Sequence, residues 1–207
     1  MQTFDPERAV AHLRGLSGPL VDIIEQVGPF TLEPEAQGFA TLVDAIVSQQ
    51  ISVKAAAAIM NRLVLTVGDL TPQALLAFTP ELLRSVGLSN QKARYVLDLA
   101  VKVADGVVRL DALPQFDDEE IIAQLIQVKG IGRWTAEMYL IFALGRPDVL
   151  PVADLGLRQG MQRAYVLAAL PDAQTMTALA EPWRPYRSVA TWYLWRSLGN
   201  TPAIAPS

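Results

Sequence analysis

The stretch Leu125-Ile126-Gln127-Val128-Lys129-Gly130-Ile131-Gly132-Arg133-Trp134-Thr135-Ala136 decides the fold. Apolar residues at helical spacing precede its glycines, and a second helical run follows them as far as about Leu144. The glycines predict a tight turn, because glycine adopts positive φ and lets a partner approach closely. The second helix begins at this turn, so its N–H groups and positive dipole end could hold one phosphate without reading base sequence. From these residues alone, an ordinary corner between two helices remains the alternative.

Helical periodicity also dominates the rest of the chain, and strand alternation is nearly absent. Helix starts are marked by Pro after Thr71 and Thr79, and by a capping box of Asp117 and Glu120. We therefore predict an all-α fold with short breaks. The predicted helices cover 39–47, 53–65, two short segments beginning at 72 and 80, 91–103, a segment from 117, 133–144, 154 to about 170, and 186–198.

Composition excludes several classes of protein. The 207 residues, 51% of them hydrophobic, are enough for one compact unit or two small lobes that share a core. The chain has no Cys and a single His, His12, which argues against disulfides, iron–sulfur clusters and zinc chemistry. A net charge of −4 argues against nonspecific coating of nucleic acid. No membrane segment or signal peptide is evident, which predicts a cytoplasmic protein.

The segment Leu150-Pro151-Val152-Ala153-Asp154 places a carboxylate one helix beyond the turn. Asp is a preferred N-cap residue, so a structural role for Asp154 is the alternative to a catalytic one. The hairpin and this acid together resemble the helix-hairpin-helix DNA glycosylase superfamily. Its hairpin consensus is matched by Leu125, Gly130, Ile131, Gly132, Thr135 and Ala136.

Three further features resemble the 3-methyladenine DNA glycosylase II (AlkA) branch of that superfamily. Trp134 stands where bifunctional relatives usually carry the Schiff-base lysine, 45–52 resembles an early Gln-rich loop, and 183–198 resembles the C-terminal helix. The resemblance implies a single core, 1–207, in a short form without the N-terminal β-domain. It implies two helical lobes flanking a DNA-binding cleft, one formed by 36–115 and the other by 1–35 with 116–207, the latter carrying the helix-hairpin-helix motif at 118–144.

The resemblance implies a monofunctional glycosylase that removes alkylated bases from double-stranded DNA, with Asp154 as the catalytic carboxylate. We expect hydrolysis to an abasic site without strand cleavage, by a monomer associated with the nucleoid. Two alternatives stay open: a glycosylase of this fold for oxidised purines, mismatched adenine or uracil, and a noncatalytic hairpin module that binds DNA.

The resemblance also implies a pocket for the flipped base. Trp134 and Trp195 are its expected stacking residues, and Met138 and Leu155 stand where well-known relatives often carry tyrosines. Gln50 falls at the wedge position that fills the space left by the base. For each aromatic residue, packing in the core is the alternative.

Contacts to the DNA backbone are expected mainly at the hairpin. The expected phosphate-binding residues are Lys129, Gly130, Gly132, Arg133 and Thr135, with Gly87 and Ser89 in a second turn. No cofactor is expected to be required. A monovalent cation, Na⁺ or K⁺, is implied at the main-chain carbonyls of Ile126, Val128 and Ile131.

Overall fold

The computed structural model describes residues 4–199, and the predicted all-α fold is confirmed: these residues form helices and turns, with no strand among them. The helices are α1 (Pro6–Arg14), α2 (Pro19–Val27), α3 (Phe39–Ser48), α4 (Val53–Val67), α5 (Pro72–Leu76), α6 (Pro80–Ser85), α7 (Asn90–Ala104), α8 (Asp118–Leu125), α9 (Arg133–Met138), α10 (Leu155–Ala164), α11 (Ala173–Ala180) and α12 (Arg187–Ser197). A π-helical turn, Tyr139–Ala143, continues α9, and 3-10 turns occur at Leu110–Gln115 and Glu181–Trp183. None of the helices within 4–199 is long and apolar enough to cross a bilayer.

The contacts between residues divide the chain into two compact units. Among the described residues, one unit contains 4–35 together with 140–199, and the other contains 36–139. This grouping puts α8 and α9 with α3 to α7, and the lobes that the resemblance implies stay a prediction.

The 36–139 unit packs around α7, which contacts α3, α5 and α6. The capping residue Ser89 opens this helix by accepting a hydrogen bond from the Lys92 N–H. One face of α7 is buried, while an adjacent face carries polar side chains spaced three residues apart, so that they line up along the helix. The buried residues are Ala93, Val96, Leu99 and Ala100, and the polar ones are Lys92, Tyr95 and Asp98.

The other unit is built on α12, whose residues 188–195 are all buried. Helices α2 and α10 pack against it. Gly160 of α10 permits a close approach, because a Cβ there would lie 3.1 Å from the Leu194 Cβ and 3.2 Å from the Leu194 carbonyl oxygen. The Tyr193 hydroxyl donates to the Gly28 carbonyl over 3.0 Å. The contact at Gly160 fixes α12 against α10, which carries Asp154 at its start, and the Tyr193 bond fixes α12 against the end of α2.

The structure corrects the sequence prediction in the end of one helix, the geometry of another and the number of helices. Helix α10 ends at Ala164 rather than near residue 170, because Val166 has a φ of 52° and the chain turns there. The predicted helix 133–144 changes from α to π geometry at Tyr139. Helices α1, α2 and α11 were not predicted, although the capping residue Asp5, Pro19 and the capping residue Asp172 mark their starts.

We predict that Gly160→Val lowers the free energy of unfolding by about 1–3 kcal/mol, because the added side chain overpacks the contact with Leu194. Urea denaturation followed by circular dichroism measures this change. Arg163→Val, at an exposed position in the same helix, is the control for the lower helix propensity of valine. Equal destabilisation by both variants would show that the close contact is unimportant.

Candidate carboxylate site and DNA-binding hairpin

Asp154 is the N-cap of α10, and its side chain is only 6% exposed. Its Oδ1 atom accepts a hydrogen bond from the Leu157 N–H over 2.6 Å and another from the Trp195 indole Nε1–H over 2.8 Å. A buried carboxylate needs such donors, because burial removes the water that would otherwise solvate its charge. The positive end of the α10 dipole also favours a negative charge at this place. The structural role considered for Asp154 is therefore present, and it fixes the orientation of the carboxylate.

Trp195 is held tightly beside this carboxylate. Its side chain is completely buried, and its ring stacks on Phe142 with a centroid distance of 5.8 Å and an interplanar angle of 16°. Gly156 lies against both groups, since a Cβ there would be 3.2 Å from Asp154 Oδ1 and 3.3 Å from Trp195 Cδ1. In this conformation Trp195 offers no open face to a base, so its observed role is to position Asp154.

The hairpin turn lies between α8 and α9, in the 36–139 unit. Gly130 has a φ of 89°, and a Cβ at this residue would lie 2.1 Å from Cδ2 of the Tyr95 ring. The close approach that the sequence predicts at Gly130 is thus made by an aromatic ring of the protein itself. Gly132 has an ordinary φ of −91°, and no atom lies within 4 Å of the place where its Cβ would be. Gly132, the N-cap of α9, therefore has open space where a side chain would begin.

The Arg133 side chain is engaged within the protein. Its guanidinium donates to both carboxylate oxygens of Glu119 and to Oε1 of Glu137, the latter over 3.1 Å. The bond to Glu119 lowers the pKa of that carboxyl and raises the pKa of the guanidinium. Glu137 is buried, so its charge needs a cationic partner. A phosphate would have to compete with two carboxylates for Arg133, which makes a main-chain contact at α9 the simpler one.

The other residues predicted at the hairpin differ in accessibility. The Lys129 side chain is 75% exposed, and its ammonium lies 3.9 Å from Asp98 Oδ1, a contact too long to hold it firmly. The Lys129 main-chain N–H, in contrast, donates to Asp98 Oδ2 over 2.8 Å. Thr135 is buried. The Lys129 ammonium is therefore accessible, while the Lys129 main-chain N–H group is already used.

The Gln-rich loop between α3 and α4 belongs to the same unit. Gln50 at its tip is exposed and has a φ of 58°, a left-handed conformation that is uncommon for residues other than glycine. Beside it, Gln49 Nε2 donates to the Gly130 carbonyl over 2.8 Å, which joins the loop to the hairpin. Gln50 thus has the exposure that a wedge residue requires.

The four residues predicted to form the base pocket differ in how much of each is exposed to solvent. Trp134 is 36% exposed and Leu155 is 55% exposed, whereas Met138, like Trp195, is completely buried. Leu155 directly follows Asp154 in the chain. The exposed residues remain candidates for contact with a base, and Met138 can contact one only after a rearrangement.

The second predicted phosphate site, at Gly87 and Ser89, is an exposed turn. Gly87 has a φ of 106°, and the Ser89 side chain caps α7. Lys92, the nearest lysine downstream, donates from Nζ to the Val47 and Gln49 carbonyls over 2.6 Å each. Burial lowers the pKa of this ammonium. The Lys92 ammonium is therefore bonded to the C-terminal end of α3, an interaction that the sequence did not predict.

The carbonyls implied for a monovalent cation lie in the hairpin turn. The Val128 carbonyl accepts the Ile131 N–H over 3.0 Å, and its second lone pair could still serve a cation. Within residues 4–199, no cluster of three or more His, Cys, Asp or Glu side chains could hold a metal ion.

Comparison with known proteins identifies the family. A family model described as "HhH-GPD superfamily base excision DNA repair protein" matches residues 43–185. The chain belongs to this superfamily. The predicted resemblance is thereby confirmed.

Similar proteins cover most of this HhH-GPD chain. The DNA-3-methyladenine glycosylase 1 of Schizosaccharomyces pombe is 34% identical over 92% of this chain and 86% of its own length. A putative DNA-3-methyladenine glycosylase of Bacillus subtilis is 34% identical, but the chain spans only 58% of it. Among solved structures, the S. pombe 3-methyladenine glycosylase in complex with abasic DNA has a TM-score of 0.80 at 32% identity, with 93% of this chain and 97% of that one covered. A Bacillus halodurans DNA-3-methyladenine glycosidase has a TM-score of 0.85 at 35% identity, with 96% and 92% covered.

The two hairpin glycines of this HhH-GPD protein give a matched pair of variants. We predict that Gly130→Ala costs at least about 2 kcal/mol of stability, because the positive φ is strained and the methyl group meets the Tyr95 ring. We predict that Gly132→Ala costs less than about 1 kcal/mol, since its φ is ordinary and the space is open. Urea denaturation of both variants measures the difference, and the reverse ranking would contradict the assignment.

Proposed function

We propose that this protein is a monofunctional DNA glycosylase that hydrolyses the N-glycosidic bond of alkylated bases, of the 3-methyladenine and 7-methylguanine type, in double-stranded DNA. The observation that carries the proposal is the buried Asp154 carboxylate, whose Oδ1 is held by Leu157 and Trp195. One relative at 34% identity over 92% of the chain is named DNA-3-methyladenine glycosylase 1, and another at 31% over 93% is named an alkylbase DNA glycosidase-like protein, which supports this substrate class.

Asp154 supplies the chemistry that this reaction needs. Breaking the bond between base and sugar leaves positive charge on the sugar ring, and a fixed carboxylate near C1′ stabilises that charge. The same carboxylate can orient a water molecule and accept its proton as the water attacks C1′. Because two donors hold Oδ1 before the substrate arrives, little reorganisation is needed in the transition state.

The absence of lyase chemistry follows from the residue at the hairpin helix. Bifunctional relatives attack C1′ with a lysine amine at the position that Trp134 occupies here. An indole cannot form a Schiff base, so water is the nucleophile and the product is an abasic site in an intact strand. Borohydride should accordingly trap no covalent complex between protein and DNA.

Recognition of the lesion requires that the base leaves the duplex. Alkylated purines carry positive charge, which weakens the glycosidic bond and favours stacking on an electron-rich ring. Trp134, 36% exposed, is the proposed aromatic contact, and Leu155 an apolar one. Gln50 is the proposed wedge, because an amide fills space and can also bond the base left without a partner.

The hairpin holds the DNA backbone without reading sequence. We assign the phosphate to the open main chain at Gly132 and the start of α9, aided by the exposed Lys129 ammonium. The turn at Gly87 and Ser89 is the proposed second backbone contact. Na⁺ or K⁺ would be held by the carbonyls of Ile126, Val128 and Ile131, where it would add positive charge beside the phosphate. The protein would act as a monomer on nucleoid DNA in the cytoplasm.

We predict that Asp154→Asn lowers the single-turnover rate of base release from methylated DNA by about 100-fold or more. The amide oxygen can still accept the bonds from Leu157 and Trp195, so the fold and the affinity for DNA should be retained. Release of 3-methyladenine and 7-methylguanine, measured by chromatography, tests this result. Equal release by wild type and variant would contradict the catalytic role of Asp154.

A panel of substrates separates this proposal from the other lesions considered. Release of hypoxanthine or uracil, with no release of methylated purines, would support a glycosylase activity but contradict the proposed substrate. DNA binding without release of any base from the panel would indicate a noncatalytic hairpin module.

The proposed cation gives a separate prediction. Replacing K⁺ and Na⁺ with tetramethylammonium at constant ionic strength should weaken binding to a duplex several-fold, because the larger ion cannot enter a site of main-chain carbonyls. Fluorescence anisotropy with a labelled abasic-site duplex measures the affinity. Unchanged affinity would exclude a functional role for the cation.

A further inference from the structure

Two loops of the 36–139 unit have proposed contacts with DNA, the Gln-rich loop 49–52 and the hairpin turn 126–132. Both touch one polar face of α7, which carries Lys92, Tyr95 and Asp98. We name these three residues the α7 brace. The proposed function does not use them, and none was singled out from the sequence as a contact of both loops.

Lys92 holds the Gln-rich loop. Its ammonium bonds the carbonyls of Val47 and Gln49, at the C-terminal end of α3, where a positive charge also complements the helix dipole. The next residue is Gln50, with its left-handed backbone. Because the Lys92 ammonium holds the carbonyl of Gln49, the residue before Gln50, the unusual conformation of Gln50 is maintained without a glycine.

Tyr95 and Asp98 hold the hairpin turn one and two helical turns further along α7. The Tyr95 ring fills the place where a side chain at position 130 would be, and Asp98 accepts the main-chain N–H of Lys129. Gln49 closes the arrangement, because its own carbonyl is bonded by Lys92 while its side chain bonds the Gly130 carbonyl. The two loops are thus fixed to one helix and to each other.

We propose that the α7 brace sets the spacing between the wedge residue Gln50 and the phosphate-binding turn at Gly132, and that Lys92 is a positioning residue for the wedge. The proposal rests on the proposed function. A rigid spacing matters because wedge insertion and phosphate contact must occur together on one duplex. If the brace is loosened, contacts with the DNA backbone remain, but the protein no longer prefers a duplex that accepts the wedge residue.

The expected effect is on discrimination between damaged and undamaged DNA. Lys92→Met should weaken binding to a duplex with a stable abasic-site analogue by about tenfold, a size typical of coupled contacts, and should change binding to the undamaged duplex much less. Lys92→Arg keeps the charge and the donors, so it should retain most of the preference. Lys102→Met removes a lysine from the same helix outside the brace and is the control for lost charge. Fluorescence anisotropy at fixed salt measures these affinities.

A double-mutant cycle tests whether Lys92 acts through the wedge. If it does, Lys92→Met in a Gln50→Ala background should cost far less discrimination than in the wild type. Fully additive effects would overturn the proposal, as would unchanged discrimination in Lys92→Met. A purely structural role would shift the urea midpoint and weaken both duplexes equally, which also contradicts the proposal.

Two variants of Asp98 test the hairpin side of the brace. Asp98→Asn retains an oxygen that accepts the Lys129 N–H, whereas Asp98→Ala removes it. We expect the Ala variant to lose discrimination and the Asn variant to keep it; equal behaviour of the two would contradict the role assigned to Asp98. If wild-type protein releases no base and shows no preference for the damaged duplex, the proposed function fails instead, which keeps the two failures distinct.

Discussion

The hydrogen bonds accepted by Oδ1 of Asp154 are the constraint on which the carboxylate site depends. One donor, Leu157, comes from the first turn of α10, and the other, Trp195, comes from α12. The indole reaches the carboxylate only because α12 packs closely on α10, where Gly160 leaves room for the Leu194 backbone. The small size of Gly156 allows the ring and the carboxylate to meet. Packing of whole helices thus determines the position of one oxygen atom.

This arrangement shows why a capping role and a catalytic role are compatible. An N-cap aspartate on the surface needs little help from other elements, since water solvates its charge. Asp154 is buried, so each bond it accepts offsets part of the cost of removing the charge from water. The remaining cost is lowered further when positive charge develops nearby, as it does on a sugar that is losing its base. In the proposed reaction, the features that make the buried charge tolerable would also prepare it for a cationic transition state.

The parts that could be predicted from the sequence were local. The helix starts at Thr71, Thr79 and Asp117 depend on neighbouring residues, and they were predicted correctly. The partners of Gly130 and Trp195 are Tyr95 and Asp154, which are 35 and 41 residues away in the chain. No spacing rule connects residues so far apart, so neither the contact of Gly130 with Tyr95 nor the hydrogen bond from Trp195 to Asp154 was predicted. The end of α10 was missed because the left-handed Val166 has no sequence signal.

The hairpin shows the same limit of prediction from sequence. It also bears on how a protein with a net charge of −4 could bind DNA, which is itself negatively charged. Basic residues near the turn suggest an electrostatic surface, yet Arg133 is bonded by Glu119 and Glu137, and Lys92 is used inside the protein. The proposed phosphate site is therefore mainly a main chain of fixed geometry at Gly132. Directed N–H groups hold an anion with few net charges, whereas a surface of mobile lysines would attract any duplex equally. Directed N–H groups suit an acidic protein that must release undamaged DNA. Because the long-range attraction is weak, the short-range fit determines whether damaged or undamaged DNA is bound.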